Sequence, residues 1–308
     1  MVKVLVSDPI DEEGVKMLRE AGLTVDLRTD ITAEELKKVI GDYDAIVVRS
    51  RTKLTEEVLR KATNLRAIAR AGVGLDNIDT GYAKEKNIEV FNSPEAPCNA
   101  VAELVMGLML STARHIPAAD STMKQGRWEK NRLTGIELSG RTLGVIGFGR
   151  IGYMVGKKAR ALGMEVLAYD VLMDKLRHFV EEIGGKDVDL DTLLAKSDFI
   201  TVHVPLLPQT RHMINTKQFE KMKDGVYVVN AARGGIVDEA ALKAALDSGR
   251  VAGAALDVFE SEPNPDPELV GRANVVCTPH IGASSAEAQL ANSTIVAEKL
   301  IKFFTRSP

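Results

Sequence analysis

The chain has 308 residues, with 40 Lys and Arg against 43 Asp and Glu and a formal net charge of -3. That length suits two domains with a core each, and the near-balanced charge offers no broad basic field for nucleic acid or an anionic membrane, so neither is an expected partner. The two cysteines, Cys98 and Cys277, form no metal-ligand spacing, so no metal is expected. With no signal-like segment after Met1 and an apolar stretch at 104–110 too short to span a bilayer, the expected compartment is the cytoplasm.

Apolar runs alternate with helical periodicity throughout, which predicts an α/β chain. A strand is expected over 2–6, broken by Ser7-Asp8 before a helix over 12–20. A strand at 24–27, a helix capped by Thr32 and ending near Ile40, and a strand at 45–48 follow, the last running into Arg49-Ser-Arg51-Thr. A helix capped by Thr55 leads to a strand at 65–69 and the loop Arg70-Ala-Gly-Val-Gly74. Ligands of open parallel sheets gather outside the carboxyl ends of the strands, so both arginine-bearing loops fall where a small molecule would be held. A strand at 88–92 closes this first domain, and Ser93-Pro-Glu-Ala-Pro97 marks its boundary. The next helix, about 99–114, is apolar on more than one side and reads as buried between domains or subunits. Segment 116–138, with Trp128, has weak periodicity and reads as a surface excursion, a candidate subunit arm.

The run from Gly140 to Gly152 then joins a short apolar strand, 142–146, to a turn with Gly147, Gly149 and Gly152. This is G-x-G-x-x-G in its proper setting, with a helix over 151–162 and a second strand over 165–169 that runs into Asp170. Gly147 permits the tight turn, Gly149 lets a pyrophosphate approach the backbone, and Gly152 lets helix and strand pack closely. The phosphates would rest on amides at the helix start, where Arg150 and Ile151 stand. Asp170 is placed to accept hydrogen bonds from both hydroxyls of an adenosine ribose. No base precedes Lys175 to neutralise a 2′-phosphate, so the expected cofactor is NAD rather than NADP.

Beyond this unit, strands are expected at 197–204, 225–230, 253–258 and 275–278, with a helix over 239–248 and an amphipathic final helix over 285–304 that could fold back on the first domain. The last three of these strands deliver Arg233, Glu262 and His280 to one sheet edge. Imidazole can exchange a proton near neutral pH, and a carboxylate such as Glu262 beside it favours the protonated ring. The planar fork of Arg233 can pair with a carboxylate while another N–H polarises an adjacent carbonyl. Together these groups suit hydride transfer on a 2-keto or 2-hydroxy acid. His203 and Pro205, at the end of their own strand, are expected to line the cofactor site.

Gly147-Phe-Gly-Arg-Ile-Gly152, Asn230-Ala-Ala-Arg-Gly-Gly-Ile-Val-Asp-Glu239, Leu256-Asp-Val-Phe-Glu-Ser-Glu-Pro263 and Thr278-Pro-His-Ile-Gly-Ala283 resemble the D-2-hydroxyacid dehydrogenase family over essentially the whole chain. The resemblance implies two doubly wound domains, a Rossmann-type NAD-binding domain (98–284) inserted in a flavodoxin-like substrate domain split between 1–97 and 285–308. It makes Arg233, Glu262 and His280 substrate anchor, partner and acid/base, adds Ala231 and Asp257 to the cofactor site, and gives the backbone amides of Val73 and Gly74 to the substrate carboxylate. It also implies a homodimer formed through the nucleotide domain. Arg49 and Arg51, two apart on one loop, could clamp a second anionic group, so the expected substrate is a phosphorylated 2-hydroxy acid. A reductase of glyoxylate or hydroxypyruvate from the same family, and a non-catalytic NAD-sensing protein, are the alternatives. Larger members carry a C-terminal serine-binding regulatory domain; with the sequence ending at Pro308, feedback through one is not expected. Val171 stands where the family commonly has proline, and Pro97-Cys98-Asn99 departs from its usual pattern before the long helix.

Overall fold

The computed structural model describes residues 1–305, so the last three residues of the expected 285–308 segment lie outside the described residues. None of the described helices is long and apolar enough to cross a membrane, and the described residues contain no cluster of three or more His, Cys, Asp or Glu able to hold a metal. The chain divides into two compact units, Met1–Ala100 with the segment from Ala283 onward, and Val101–Gly282.

The first unit runs β1 (Lys3–Val6), α1 (Glu12–Glu20), β2 (Thr24–Leu27), α2 (Ala33–Val39), β3 (Ala45–Val48), α3 (Glu56–Leu59), β4 (Ala67–Arg70), α4 (Thr80–Glu85) and β5 (Glu89–Asn92). Its strands pair in parallel in the order β2-β1-β3-β4-β5, the flavodoxin-like arrangement, so the order reverses between β1 and β3. A sheet covered on both faces needs unbroken apolar strands, and Val4, Leu5 and Val6 of β1 and all four residues of β3 have 0 % exposure. Each Val, Leu or Ile side chain among them contributes about 1.5–3 kcal/mol of burial. Thr32 starts α2 with a full capping box closed by Glu35. Thr55 occupies the equivalent place before α3, but its side chain makes no capping bond. The terminal helix, Ala286–Thr305, buries Ala288, Asn292, Ser293, Val296, Ala297 and Leu300. It lies against α1 so closely that a Cβ on Gly14 would meet the Ser293 carbonyl oxygen at 2.8 Å.

The second unit adds α5 (Cys98–Ala113), α6 (Ile116–Lys124), β6 (Thr142–Ile146), α7 (Arg150–Ala161), β7 (Glu165–Tyr169), α8 (Met173–Glu182), β8 (Lys186–Asp187), α9 (Leu190–Lys196), β9 (Phe199–Val202), α10 (Thr216–Lys221), β10 (Val226–Asn230), α11 (Glu239–Asp247), β11 (Val251–Leu256), α12 (Pro267–Val270) and β12 (Val275–Cys277). Seven parallel strands stand in the order β12-β11-β10-β9-β6-β7-β8, which is the doubly wound order reversing at β6, with one strand added at an edge. Three features add to the elements expected from the sequence. From Val101 onward α5 packs into the core of its own unit with Leu143, Val145 and Phe148, and only its Glu103, Gly107 and Leu110 stripe is exposed. Segment 116–138 contains the nine-residue helix α6, opened by Pro117 in its first turn. Finally, α4, α8, β8, α9, α10 and α12 occupy stretches where no element was expected; all but α8 have seven residues or fewer, too short for a repeating apolar stripe to show.

Candidate active site

The turn after β6 is built as its glycines require. Gly147 has φ 91° and donates to Tyr169 O at 2.8 Å, and a Cβ there would meet the His203 carbonyl at 2.8 Å. A Cβ on Gly152 would overlap the Gly147 carbonyl oxygen, whereas one on Gly149 would meet nothing within 4 Å. Space is therefore kept open over the start of α7, where Gly149 offers no side-chain cap to the first amides. An open glycine facing uncapped amides fits a pyrophosphate. Asp170 ends β7 with both oxygens oriented, Oδ2 accepting from Phe148 N and Oδ1 from Leu172 N, each at 2.8 Å. Each oxygen keeps a lone pair for a ribose hydroxyl.

Beyond the ends of β11 and β12, Glu262 and His280 meet. His280 Nδ1 lies 2.8 Å from Glu262 Oε2, and Glu262 Oε1 accepts from Phe259 N at 3.0 Å. With Nδ1 engaged, Nε2 is the ring atom that can exchange a proton with a substrate. The side chains are 47 % and 37 % exposed, which leaves the pair reachable. His280 sits at φ 54°, in the left-handed region that only a few per cent of non-glycine residues occupy. Asp257 holds it there: buried at 1 % exposure, its carboxylate accepts from Thr278 Oγ1 at 2.6 Å and from the amides of Ile281 and Gly282 at 2.8 Å. Three donors on one buried carboxylate make it the organiser of the His280 loop.

Arg233 lies in the loop after β10, its carbonyl fixed by Asn230 Nδ2 at 2.9 Å, and Asn230 Oδ1 also receives the Ala232 amide at 3.1 Å. Ala231, at 9 % exposure, closes the strand. The next residue, Gly234, is pressed against the backbone of Phe259, since a Cβ would overlap the Phe259 carbonyl oxygen. The loops bearing Arg233 and Glu262 are thereby in backbone contact. His203 N donates to Ile146 O at 2.7 Å, and its Nε2 lies 2.9 Å from Thr201 Oγ1. Its Nδ1 is covered and has no hydrogen-bond partner among the described residues. Burial pushes this imidazole down to about 3, so it remains neutral. Pro205 O accepts from Thr210 Oγ1 at 2.6 Å, tying down the loop behind it. The Cys277 thiol is pushed up to about 11, by burial first and the Glu239 charge second, and stays an inert thiol.

Arg49, Arg51, Val73 and Gly74 belong to the first unit. Arg51 is largely committed to protein acceptors: Nε to the buried Asp8 at 3.1 Å and Nη2 to the Ser7 carbonyl. Asp8 also receives the Arg49 amide at 2.6 Å and Thr52 Oγ1 at 2.6 Å. Arg49 Nη1 makes a 3.3 Å bond to Pro9 O. The 72–74 loop rests on a buried relay, Gly72 N to Ser93 Oγ at 2.9 Å and Ser93 Oγ to Asn292 Oδ1 at 2.6 Å, while Asn92 Nδ2 holds Val73 O at 2.6 Å. Asp8, Ser93, Asn230, Thr278 and Asn292 were not anticipated; of these only Asn230 and Thr278 stand inside a recognisable motif.

Residues 106–282 match the model of the D-isomer specific 2-hydroxyacid dehydrogenase family, NAD binding domain. The chain belongs to this family. Among D-2-hydroxyacid dehydrogenases and their relatives, it is 54 % identical over 301 residues to a D-3-phosphoglycerate dehydrogenase of Archaeoglobus fulgidus, covering 97 % of this chain and 57 % of that protein. It therefore spans little more than half the length of that relative. A hydroxypyruvate reductase of Thermotoga maritima is 50 % identical over 303 residues and 97 % of both chains. The crystal structure of D-lactate dehydrogenase from Aquifex aeolicus, complexed with NAD and lactic acid, superimposes with a TM-score of 0.84 at 34 % identity, over 98 % of this chain and 95 % of the other.

Proposed function

We propose that this family member is an NAD-dependent D-3-phosphoglycerate dehydrogenase, oxidising its substrate to 3-phosphohydroxypyruvate, the opening step of serine synthesis. The observation that carries the reading is the Glu262–His280 pair at 2.8 Å, in the unit that also bears the open glycine turn and the oriented Asp170. NAD, when bound, supplies the hydride acceptor. His280 takes the proton of the substrate hydroxyl on Nε2, and Glu262 steadies the imidazolium that results. Arg233 pairs with the substrate carboxylate, the amides of Val73 and Gly74 add donors to it, and Arg49 and Arg51 receive the phosphate. Asp170 accepts both ribose hydroxyls and would repel a 2′-phosphate. Asp257 serves the nicotinamide carboxamide as well as the loop it organises.

Steady-state comparison of 3-phosphohydroxypyruvate with hydroxypyruvate in the reductive direction tests this. The phosphorylated acid should have the higher kcat/KM, and Arg49→Ala should depress it alone. Arg51→Ala should do so too, but it strips the buried Asp8 of its cation, so Arg49→Ala is the cleaner probe. Equal use of both acids would favour the second reading, a hydroxypyruvate reductase, which gains support from the commitment of Arg51 to Asp8 and from the Thermotoga maritima relative matched over 97 % of its length. The enzyme is further inferred to work in the cytoplasm as a homodimer, with the arm around Trp128, 79 % exposed, engaging the partner. Analytical ultracentrifugation of wild type and Trp128→Ala checks the assembly.

A further inference from the structure

A second imidazole lies among carboxylates beside the Glu262–His280 pair. His212, in the loop after β9, has φ 50° and donates its amide to Gly235 O at 2.7 Å. Its Nε2 is 3.1 Å from Glu260 Oε1 and its Nδ1 is 3.8 Å from Asp238 Oδ2. Nε2 is covered and not aligned for a hydrogen bond, so this contact is one of packing rather than a directed bond. Glu260 is in turn locked to the start of α11: Glu239 N donates to Glu260 Oε1 at 3.1 Å and Glu260 N to Glu239 Oε1 at 2.7 Å. Asp238 and Glu260 flank the ring, and burial together with the Glu260 charge raises the neighbouring Glu239 carboxyl. Glu260 stands two residues before Glu262, and the amide of the residue before it, Phe259 N, is the donor that orients the Glu262 carboxylate.

We propose that His212 is a positioning residue: its ring, seated between Asp238 and Glu260, holds the 259–262 segment in register and thereby aims Glu262 at His280. The inference rests on the acid/base reading of that pair, and it explains why the loop after β9 is tied to the loops after β10 and β11. Loss of the ring lets Glu260 swing from Glu239, and the Phe259 amide no longer presents itself to Glu262.

His212→Asn tests this, because asparagine tolerates the left-handed backbone but is too short to reach Glu260. The expected result is a fall in kcat of about tenfold with KM for both substrates within about twofold of wild type, restored by His212→Gln, whose amide reaches as far as Nε2. Combined with Glu262→Gln, His212→Asn should cost nothing more, since both act through one carboxylate. Amide hydrogen exchange gives a readout independent of turnover: a peptide over 257–263 should exchange faster in His212→Asn and slowly again in His212→Gln, while a peptide over 242–248, beyond the Glu239 amide that Glu260 caps, should not change. Wild-type kcat and exchange in His212→Asn, or losses that multiply in the double variant, overturn the proposal. A wild-type protein that reduces no 2-oxo acid would overturn the functional reading instead, while the exchange comparison still decides this one.

Discussion

Replacing Ser93 by alanine should weaken the first unit and loosen the 72–74 loop, the proposed seat of the substrate carboxylate. Ser93 has 0 % exposure and Asn292 2 %, and the hydroxyl between them is simultaneously acceptor for Gly72 N at 2.9 Å and donor to Asn292 Oδ1 at 2.6 Å. Its removal strands one amide and one carbonyl oxygen where water does not reach. Each orphaned group costs about 1–3 kcal/mol, so the sum is about 2–4 kcal/mol after partial relaxation. Urea unfolding followed by circular dichroism should show a lower midpoint at unchanged slope for the transition that includes this unit. Steady-state kinetics should show a raised KM for the hydroxy acid and no change in the dissociation constant of NADH. Asn292→Ala should cost less when Ser93 is already alanine, because the pair shares one bond. A Ser93→Ala protein within about 0.5 kcal/mol of wild type would refute the argument, that being the range of substitutions that disturb nothing buried.

Three other outcomes follow from the same reasoning. Asp257→Asn places an amide donor against the N–H groups of Ile281 and Gly282 or the hydroxyl of Thr278, a mismatch of about 1–3 kcal/mol; kcat should fall about 10- to 100-fold, read by steady-state kinetics. Tyr43, whose hydroxyl is 2.5 Å from Asp26 Oδ2, is pushed up to about 12 by burial first and this bond second. Its contribution is whole below the unfolded tyrosine value near 10 and is lost as pH rises through 12. Melting temperatures between those limits should therefore fall less steeply in Tyr43→Phe. His203, held down to about 3 by burial, works in the opposite sense. Its contribution is present above the unfolded value near 6.5 and is lost as pH falls towards 3, so His203→Gln should lose stability more gradually on acidification, as thermal melts at pH 7, 5 and 4 would show.

Much of the architecture was legible because its strands carry the signal twice, as unbroken apolar runs and as stops at Gly, Asp or Pro. The glycine turn, the strand end at Asp170 and the placement of Glu262 and His280 at successive strand ends all follow from that. The small helices α8, α9 and α10 were not legible, since their charged faces are long and their buried residues few. The role of Arg51 depends on Asp8, 43 positions earlier, and a buried carboxylate announces itself only by its partners. The same holds for the relay from Gly72 through Ser93 to Asn292, whose last link spans 199 positions. The apolar character of α5 was read correctly, yet such composition does not say which neighbour covers a helix.

The left-handed backbone at His280 restricts what evolution or an engineer can put there. A β-branched or bulky substitute pays about 1–2 kcal/mol in that conformation before any chemistry is considered, whereas asparagine or glycine adopts it at ease. Substitutions sampled at this position should therefore be tolerated by the fold in the order Gly and Asn before Val or Ile, whatever they do to the proposed proton transfer.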